Sequence, residues 1–275
     1  MPQQKLATLF KVLCWGILLF GVGACATPSQ QFDRAAQQRG FDSRVVDGAR
    51  FSHLVYERDS ASKSDLLHVY LEGDASPRSA MRYRPPDPTP EGGVVLGLIA
   101  LDPEPSLLLG RPCHHEVAPC DPFYWTVGRY NEDVVESLVA ALESERAARG
   151  SPGVVLVGYS GGGALAMLMA ERVSATRAVI TIAGNLDPTR WTRHHGYTPL
   201  SGSLSPAESA PLDPRILQIH LVAESDERVP PGITQEAVAR QRGARLHRYE
   251  GFDHACCWES IWPAVLSELS RELKR

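Results

Sequence analysis

Several common signals are missing from this sequence. It has no excess of basic charge: 28 Lys and Arg face 32 Asp and Glu, for a formal net charge of -4. That balance offers no electrostatic footprint for nucleic acid, and no nucleic-acid partner is expected. There is no internal repeat, which excludes solenoids and propellers. There is no long block of like charge, and the 21 prolines and 23 glycines fall in short clusters. They read as punctuation between elements rather than as a disordered tract. The Cys-x-x-Cys spacing of common zinc sites is absent, which counts against a metal although His114, His115 and His254 lie near cysteines in sequence.

What is present suits a packed enzyme-sized domain. The chain has 275 residues, 43% hydrophobic and 22% charged, enough for one large α/β domain or two small ones. Lys5 and Lys11 precede an apolar run from Val12 to Phe20, followed by Gly21-Val22-Gly23-Ala24-Cys25. Charged, apolar, then small is the order of an export signal, and the run is short for a membrane span. Val22-Gly23-Ala24-Cys25 resembles the lipobox of bacterial lipoproteins. That resemblance implies a signal peptide over 1–24, cleavage before Cys25 and a lipid anchor on it. Ala26, which is not an aspartate, implies the outer membrane, facing the periplasm. An ordinary secretory signal cut near Ala24, or an uncleaved anchor, is the alternative. Residues 25–42 are polar and glutamine-rich and read as a lipidated cysteine with a tether, leading into a domain over 43–275.

Four further cysteines remain: Cys113, Cys120, Cys256 and Cys257. An even number in an exported chain suggests disulfides, with three connectivities open.

From Leu66 onward, strand and helix patterns alternate. Strands are expected at Leu66–Leu71, Val94–Leu101, Val154–Val157, Ala178–Ala183, Ile216–Ala223 and Arg245–Tyr249. Helices are expected over 131–149, stopped by Gly150, then after Ser160, and over 258–273. Strands separated by helices predict an α/β fold: a mostly parallel sheet with helices on both faces and ligands at the carboxyl edge. Residues 187–213 break the rhythm, with Trp191, His194, His195 and Tyr197 among prolines. They read either as a short cap or lid or as an insertion packed by its own aromatics.

Gly158-Tyr159-Ser160-Gly161-Gly162 fits Gly-x-Ser-x-Gly. The motif alone is weakly specific, but an apolar strand leads in and a helix leads out. That setting presents a serine hydroxyl on a sharp turn. The hydroxyl is a poor nucleophile until a base takes its proton. Asp226 follows a strand in Glu224-Ser225-Asp226-Glu227, and His254 follows the last strand in Gly251-Phe252-Asp253-His254. The order Ser160, Asp226, His254 predicts nucleophile, orienting acid and base, with Glu224 or Glu227 as alternatives to Asp226. His220 and His247 lie within strands and read as structural.

From about Arg50 onward the chain resembles the α/β-hydrolase superfamily. Asp226-x-x-Val229-Pro230 and Gly251-x-x-His254 resemble that family's acid and histidine loops. Leu71-Glu72-Gly73-Asp74, the Ser160 elbow and His254-x-Cys256-Cys257-Trp258 are similar to a group of exported bacterial hydrolase lipoproteins. The resemblance implies a serine hydrolase of esters or thioesters, with a small-molecule or lipid substrate and no cofactor. An oxyanion hole is expected from the N–H groups of Gly161 and Asp74. Lipases of the family often carry His-Gly where this chain has Glu72-Gly73-Asp74. The acidic side chains must then be paired or turned away. A fold that binds a ligand without chemistry is the competing reading.

Overall fold

The computed structural model describes residues 26–60, 62, 64–74, 87–90 and 93–275. The expected signal peptide and Cys25 lie outside the described residues. The first elements are α1 (Pro28–Gln37), β1 (Asp42–Asp47), β2 (Ser52–Glu57), β3 (Leu66–Leu71), α2 (Val94–Ala100) and β4 (Ser106–Leu109). After a short 3-10 turn at Pro122–Trp125 come α3 (Glu132–Arg149), β5 (Gly153–Tyr159), α4 (Gly161–Ala170) and β6 (Thr176–Ile182). The chain ends with α5 (Pro188–His195), β7 (Leu217–Ala223), α6 (Pro231–Val238), β8 (Arg245–Tyr249) and α7 (Trp258–Leu273).

Among the described residues the strands form one sheet of eight, in the order β1-β2-β4-β3-β5-β6-β7-β8. β1, β2 and β4 pair antiparallel, and β4, β3, β5, β6, β7 and β8 run parallel. Successive residues of a strand face opposite sides of the sheet, and β5 uses both. Val154 and Leu156 join α3 and α4 on one face, with Val134, Leu138, Leu165 and Met169. Val155 and Val157 join α1, α2 and α7 on the other, with Phe32, Leu96, Trp258 and Trp262. Burial on both faces is why β5 reads as a continuous apolar run. α3 is bounded as its sequence implies. The Asn131 side chain caps its start, and Gly150 takes the left-handed conformation at φ 63° at its end.

Two expectations are corrected. Val94–Leu101 is not a strand; residues 94–100 form α2, with Val95, Leu96, Gly97, Leu98 and Ile99 all buried. A short helix enclosed between sheet and α7 is apolar all round, so its sequence lacks the period that separates helix from strand. The neighbouring strand is β4, whose four residues Ser-Leu-Leu-Leu are too few to show a pattern. Nor do residues 28–37 serve as a tether. Thr27 and Gln30 form a reciprocal capping box at the start of α1, and Phe32 and Ala36, one turn apart, are fully buried. The antiparallel β1 and β2 were likewise not foreseen: β1 is a largely exposed edge strand without an apolar face.

Parallel strands bring their carboxyl ends to one edge. Gly73 and Asp74 follow β3 there, Ser160 follows β5, Asp226 follows β7 and His254 follows β8.

Candidate active site

Ser160 is the single residue between β5 and α4, and its backbone sits at φ 53°, ψ -119°. A non-glycine residue there costs about 1–3 kcal/mol, so the surroundings must hold it. They do so through three main-chain bonds: Ser160 N–H to the Ile182 carbonyl at 2.9 Å, and Gly163 and Asn185 N–H to the Ser160 carbonyl at 3.0 Å each. Gly158 lies so close to the Gly162 backbone that no side chain fits there. The flanking glycines of the motif thus let strand and helix meet at a sharp angle. The amino end of α4 presents its free N–H groups and positive dipole end beside the serine.

The serine hydroxyl faces an imidazole. Ser160 Oγ lies 3.1 Å from His254 Nε2, and His254 Nδ1 lies 2.8 Å from Asp226 Oδ2. A carboxylate only accepts, so Nδ1–H donates to Asp226 and Nε2 is left to accept the serine proton. Asp226 is itself fixed, since its Oδ1 accepts from the N–H groups of Arg228 at 2.9 Å and Val229 at 2.8 Å. The His254 carbonyl accepts from Tyr159 Oη at 3.1 Å and Trp258 Nε1 at 3.0 Å. All three members are buried, Ser160 being 9% exposed, His254 7% and Asp226 4%. Glu224 bonds Arg248 instead, and Glu227 is exposed.

The turn after β3 packs directly on the serine. A Cβ at Gly73 would stand 3.0 Å from Ser160 Cβ and 3.5 Å from its Oγ. Next to it, the Asp74 carboxylate lies against the Cα of Gly161. Arg111 Nη1 donates to Asp74 Oδ1 at 2.5 Å. Arg129 Nη1 at 3.1 Å and Tyr130 Oη at 2.5 Å donate to Oδ2. Burial pushes the Asp74 carboxyl up, but the Arg129 and Arg111 charges and the Tyr130 hydroxyl outweigh it and hold it far below the usual carboxylate range. Burial and the Asp74 charge raise the Tyr130 phenol, which therefore stays a neutral donor. The nearby His114 imidazole is driven down by burial and by the Arg111 charge, so it stays neutral. Two cations thus meet one carboxylate beside Gly161. Glu72, on the opposite side of the strand, lies 3.6 Å from His115.

Arg111, Arg129 and Tyr130 were not foreseen. Their signal lay in the acidic residue at 74: a carboxylate buried beside the serine turn requires a cation, but sequence spacing does not say which arginines supply it. Cys113 is paired with Cys120, with 5.3 Å between their Cα atoms, and Cys256 with its neighbour Cys257. Among the described residues no group of three or more His, Cys, Asp or Glu side chains could hold a metal. His220 is buried against Thr181 at 2.8 Å, and His247 lies 3.2 Å from Glu268, both away from the serine. Within residues 187–213, His195 stacks on Tyr197 and Trp191 Nε1 donates to the Arg228 carbonyl at 2.6 Å. Asn131 Nδ2 donates to the Gly202 carbonyl at 3.0 Å, tying the segment to the start of α3.

No protein-family model matches the sequence, and no curated protein matches it. Solved structures do. An α/β serine hydrolase without lid from Xanthomonas campestris superposes with a TM-score of 0.57 at 16% identity, over 86% of this chain and 96% of that one. An esterase from Pyrococcus furiosus gives 0.56 at 16% identity, over 92% and 95%. A membrane phospholipase A, described as a bacterial virulence factor, gives 0.60 at 13% identity, over 100% of both chains. At such identities the likeness is one of fold: the chain has the α/β-hydrolase fold.

Proposed function

We propose that this protein is a serine hydrolase that cleaves an ester or thioester through an acyl-enzyme. Ser160 is the nucleophile, His254 the general base and acid, and Asp226 the group that orients His254. The observation that carries this reading is the unbroken relay from Ser160 Oγ through His254 to Asp226, at 3.1 Å and 2.8 Å. As Ser160 Oγ bonds the carbonyl carbon, its proton moves to His254 Nε2 and the carbonyl π pair moves onto oxygen. Collapse re-forms the carbonyl and breaks the bond to the alcohol or thiol, which takes the proton from His254. Water then repeats the cycle and frees the acid.

The oxyanion is held by the N–H groups of Gly161 and Asp74. The close contact of Gly73 with Ser160 supports this assignment. Arg111, Arg129 and Tyr130 fix the turn and neutralise the Asp74 carboxylate, which would otherwise oppose the negative charge forming nearby. Preorganised donors of this kind are worth roughly 10²–10³ in kcat.

The protein works in the bacterial cell envelope, exported and held by lipid on Cys25. The lipobox-like Val22-Gly23-Ala24-Cys25 supports this, and Ala26 favours the periplasmic side of the outer membrane. No helix among the described residues is long and apolar enough to cross a membrane. A panel of p-nitrophenyl esters and acyl thioesters, with Ser160→Ala, Asp226→Ala and His254→Ala beside the wild type, tests the activity. Turnover by wild type that falls at least a thousandfold in Ser160→Ala and His254→Ala is expected. Turnover that persists in Ser160→Ala overturns the assignment.

A further inference from the structure

The start of the folded domain and the candidate active site share one edge of the molecule. Thr27 Oγ1 donates to Glu116 Oε2 at 3.1 Å, and Ser29 N–H donates to Asp87 Oδ2 at 2.7 Å. Ser29 Oγ is 2.8 Å from Thr89 Oγ1, which also accepts from the His115 N–H at 2.6 Å. His115 and Glu116 belong to the loop after β4 that also carries Arg111, the residue bonded to Asp74 beside Gly161. The His115 ring packs on Phe32 of α1 and lies 3.6 Å from Glu72 at the end of β3.

Strand directions give the same answer independently. Asp42, the first residue of β1, pairs with Glu57, and Glu57 pairs with Leu107 near the start of β4. β4 runs parallel to β3, so β1 begins at the edge opposite Ser160. α1 feeds β1, and its 10 residues make a rod about 15 Å long. It therefore starts at the catalytic edge and runs away from it.

Only Ala26 and Thr27 separate Cys25 from Pro28, the first residue of α1. Fully extended, that stretch reaches about 11 Å. The headgroup layer on one side of a bilayer is about 5–8 Å thick. A lipid on Cys25 therefore holds the amino end of α1, and the loops bonded to it, at headgroup level, with no slack for the domain to turn over.

We infer that the substrate is an acyl ester of a membrane lipid in the leaflet that holds the anchor, presented to Ser160 by this short, rigid attachment. The inference rests on the serine-hydrolase reading and on lipidation of Cys25, and adds an orientation: the carboxyl edge of the sheet faces the membrane. The buried Phe32 and the capping box of α1 are what make the attachment short; a disordered 25–42 would let the edge point anywhere.

The test compares the full-length, processed protein with a variant carrying thirty Gly/Ser residues between Ala26 and Thr27. Such a linker has a root-mean-square reach of about 30 Å and leaves the capping box intact. Both are reconstituted in vesicles of phosphatidylethanolamine and phosphatidylglycerol. Released fatty acid is measured there, and p-nitrophenyl butyrate turnover is measured alongside. The expected result is an unchanged rate on the soluble ester and at least a tenfold loss on vesicle lipid, because the local concentration of the edge at the surface falls steeply with linker length. Equal lipid hydrolysis by both forms overturns the inference, as does wild type that cleaves the soluble ester but not vesicle lipid. Mass analysis showing no lipid on Cys25 overturns it too, while leaving the hydrolase reading in place. Failure of wild type on both substrates overturns the hydrolase reading itself, and the inference with it.

Discussion

Gly73 lies against Ser160 so closely that a methyl group on it would stand 3.0 Å from the serine Cβ, with the Tyr159 ring 3.3 Å away. The turn proposed to supply an oxyanion donor and the turn that carries Ser160 are thus packed as one unit. Gly73→Ala must move one against the other. Displacements near 1 Å at a reacting centre cost about a hundredfold. We expect kcat on a soluble ester to fall at least tenfold, with only a few degrees lost in Tm. Unchanged kcat on a folded variant would show that the contact is incidental.

Removing one cation from Asp74 should affect both rate and acid stability. The Asp74 carboxyl is depressed in the folded protein. Its contribution to stability is therefore complete above the unfolded value of about 4 and is lost as pH falls through the folded value. Arg129→Gln raises the folded value toward the ordinary range, so the loss still begins near the unfolded value but is smaller and is complete at a higher pH. Breaking a buried pair of this kind costs about 3–5 kcal/mol. Urea unfolding between pH 3 and 7 should show lower stability at neutral pH and a shallower decline below about pH 4, and kcat should fall roughly tenfold to a hundredfold with KM little changed. Arg129→Lys, which keeps the charge, should recover part of the rate. A Lys variant no better than Gln would argue that geometry alone matters.

His220 gives a second pH signature. Burial between β6 and β7 pushes its imidazole down to about 3. The unfolded chain binds that proton near pH 6.5, so His220 costs stability as pH falls below that point, at about 1.4 kcal/mol per pH unit. Burial lowers His53 and His114 in the same sense. His220→Asn should make the acid decline of stability shallower by that slope between pH 6 and 4. An identical slope in the variant would contradict the neutral assignment.

Reduction should weaken the fold. The Cys113–Cys120 bridge closes a loop of sequence separation 7 just after Arg111. Closing so short a loop contributes about 2 kcal/mol by chain entropy. Dithiothreitol is expected to lower Tm by several degrees. The pair Cys113→Ser and Cys120→Ser should show most of that loss without reductant. No shift in Tm on full reduction would contradict a stabilising bridge.

Much of this architecture was readable from local pattern. β3 has the expected limits, and β5, β6 and β7 differ by only a few residues, because strands buried on both faces are dense in Val, Ile and Leu; β8, a partly exposed edge strand, also has the expected limits. Ser160, Asp226 and His254 could be picked out because parallel strands deliver their following loops to one edge. What escaped depended on partners distant in sequence. α2 is apolar on every side because sheet and α7 enclose it. β4 is defined by its neighbours more than by its four residues. Arg111 and Arg129 matter only because Asp74, 37 and 55 positions away, sits between them. α1 was the exception: Thr27-x-x-Gln30 with Phe32 and Ala36 spelled a capped helix that the glutamine-rich composition obscured.

On the proposed mechanism Ser160 is an activated nucleophile. The most direct test treats the folded protein with a fluorophosphonate probe and maps the adduct by mass. A single adduct on Ser160, absent in Ser160→Ala and slowed at least a hundredfold in His254→Ala, is the predicted result. Folded wild-type protein that takes up no probe, or takes it up equally in Ser160→Ala, would contradict the account.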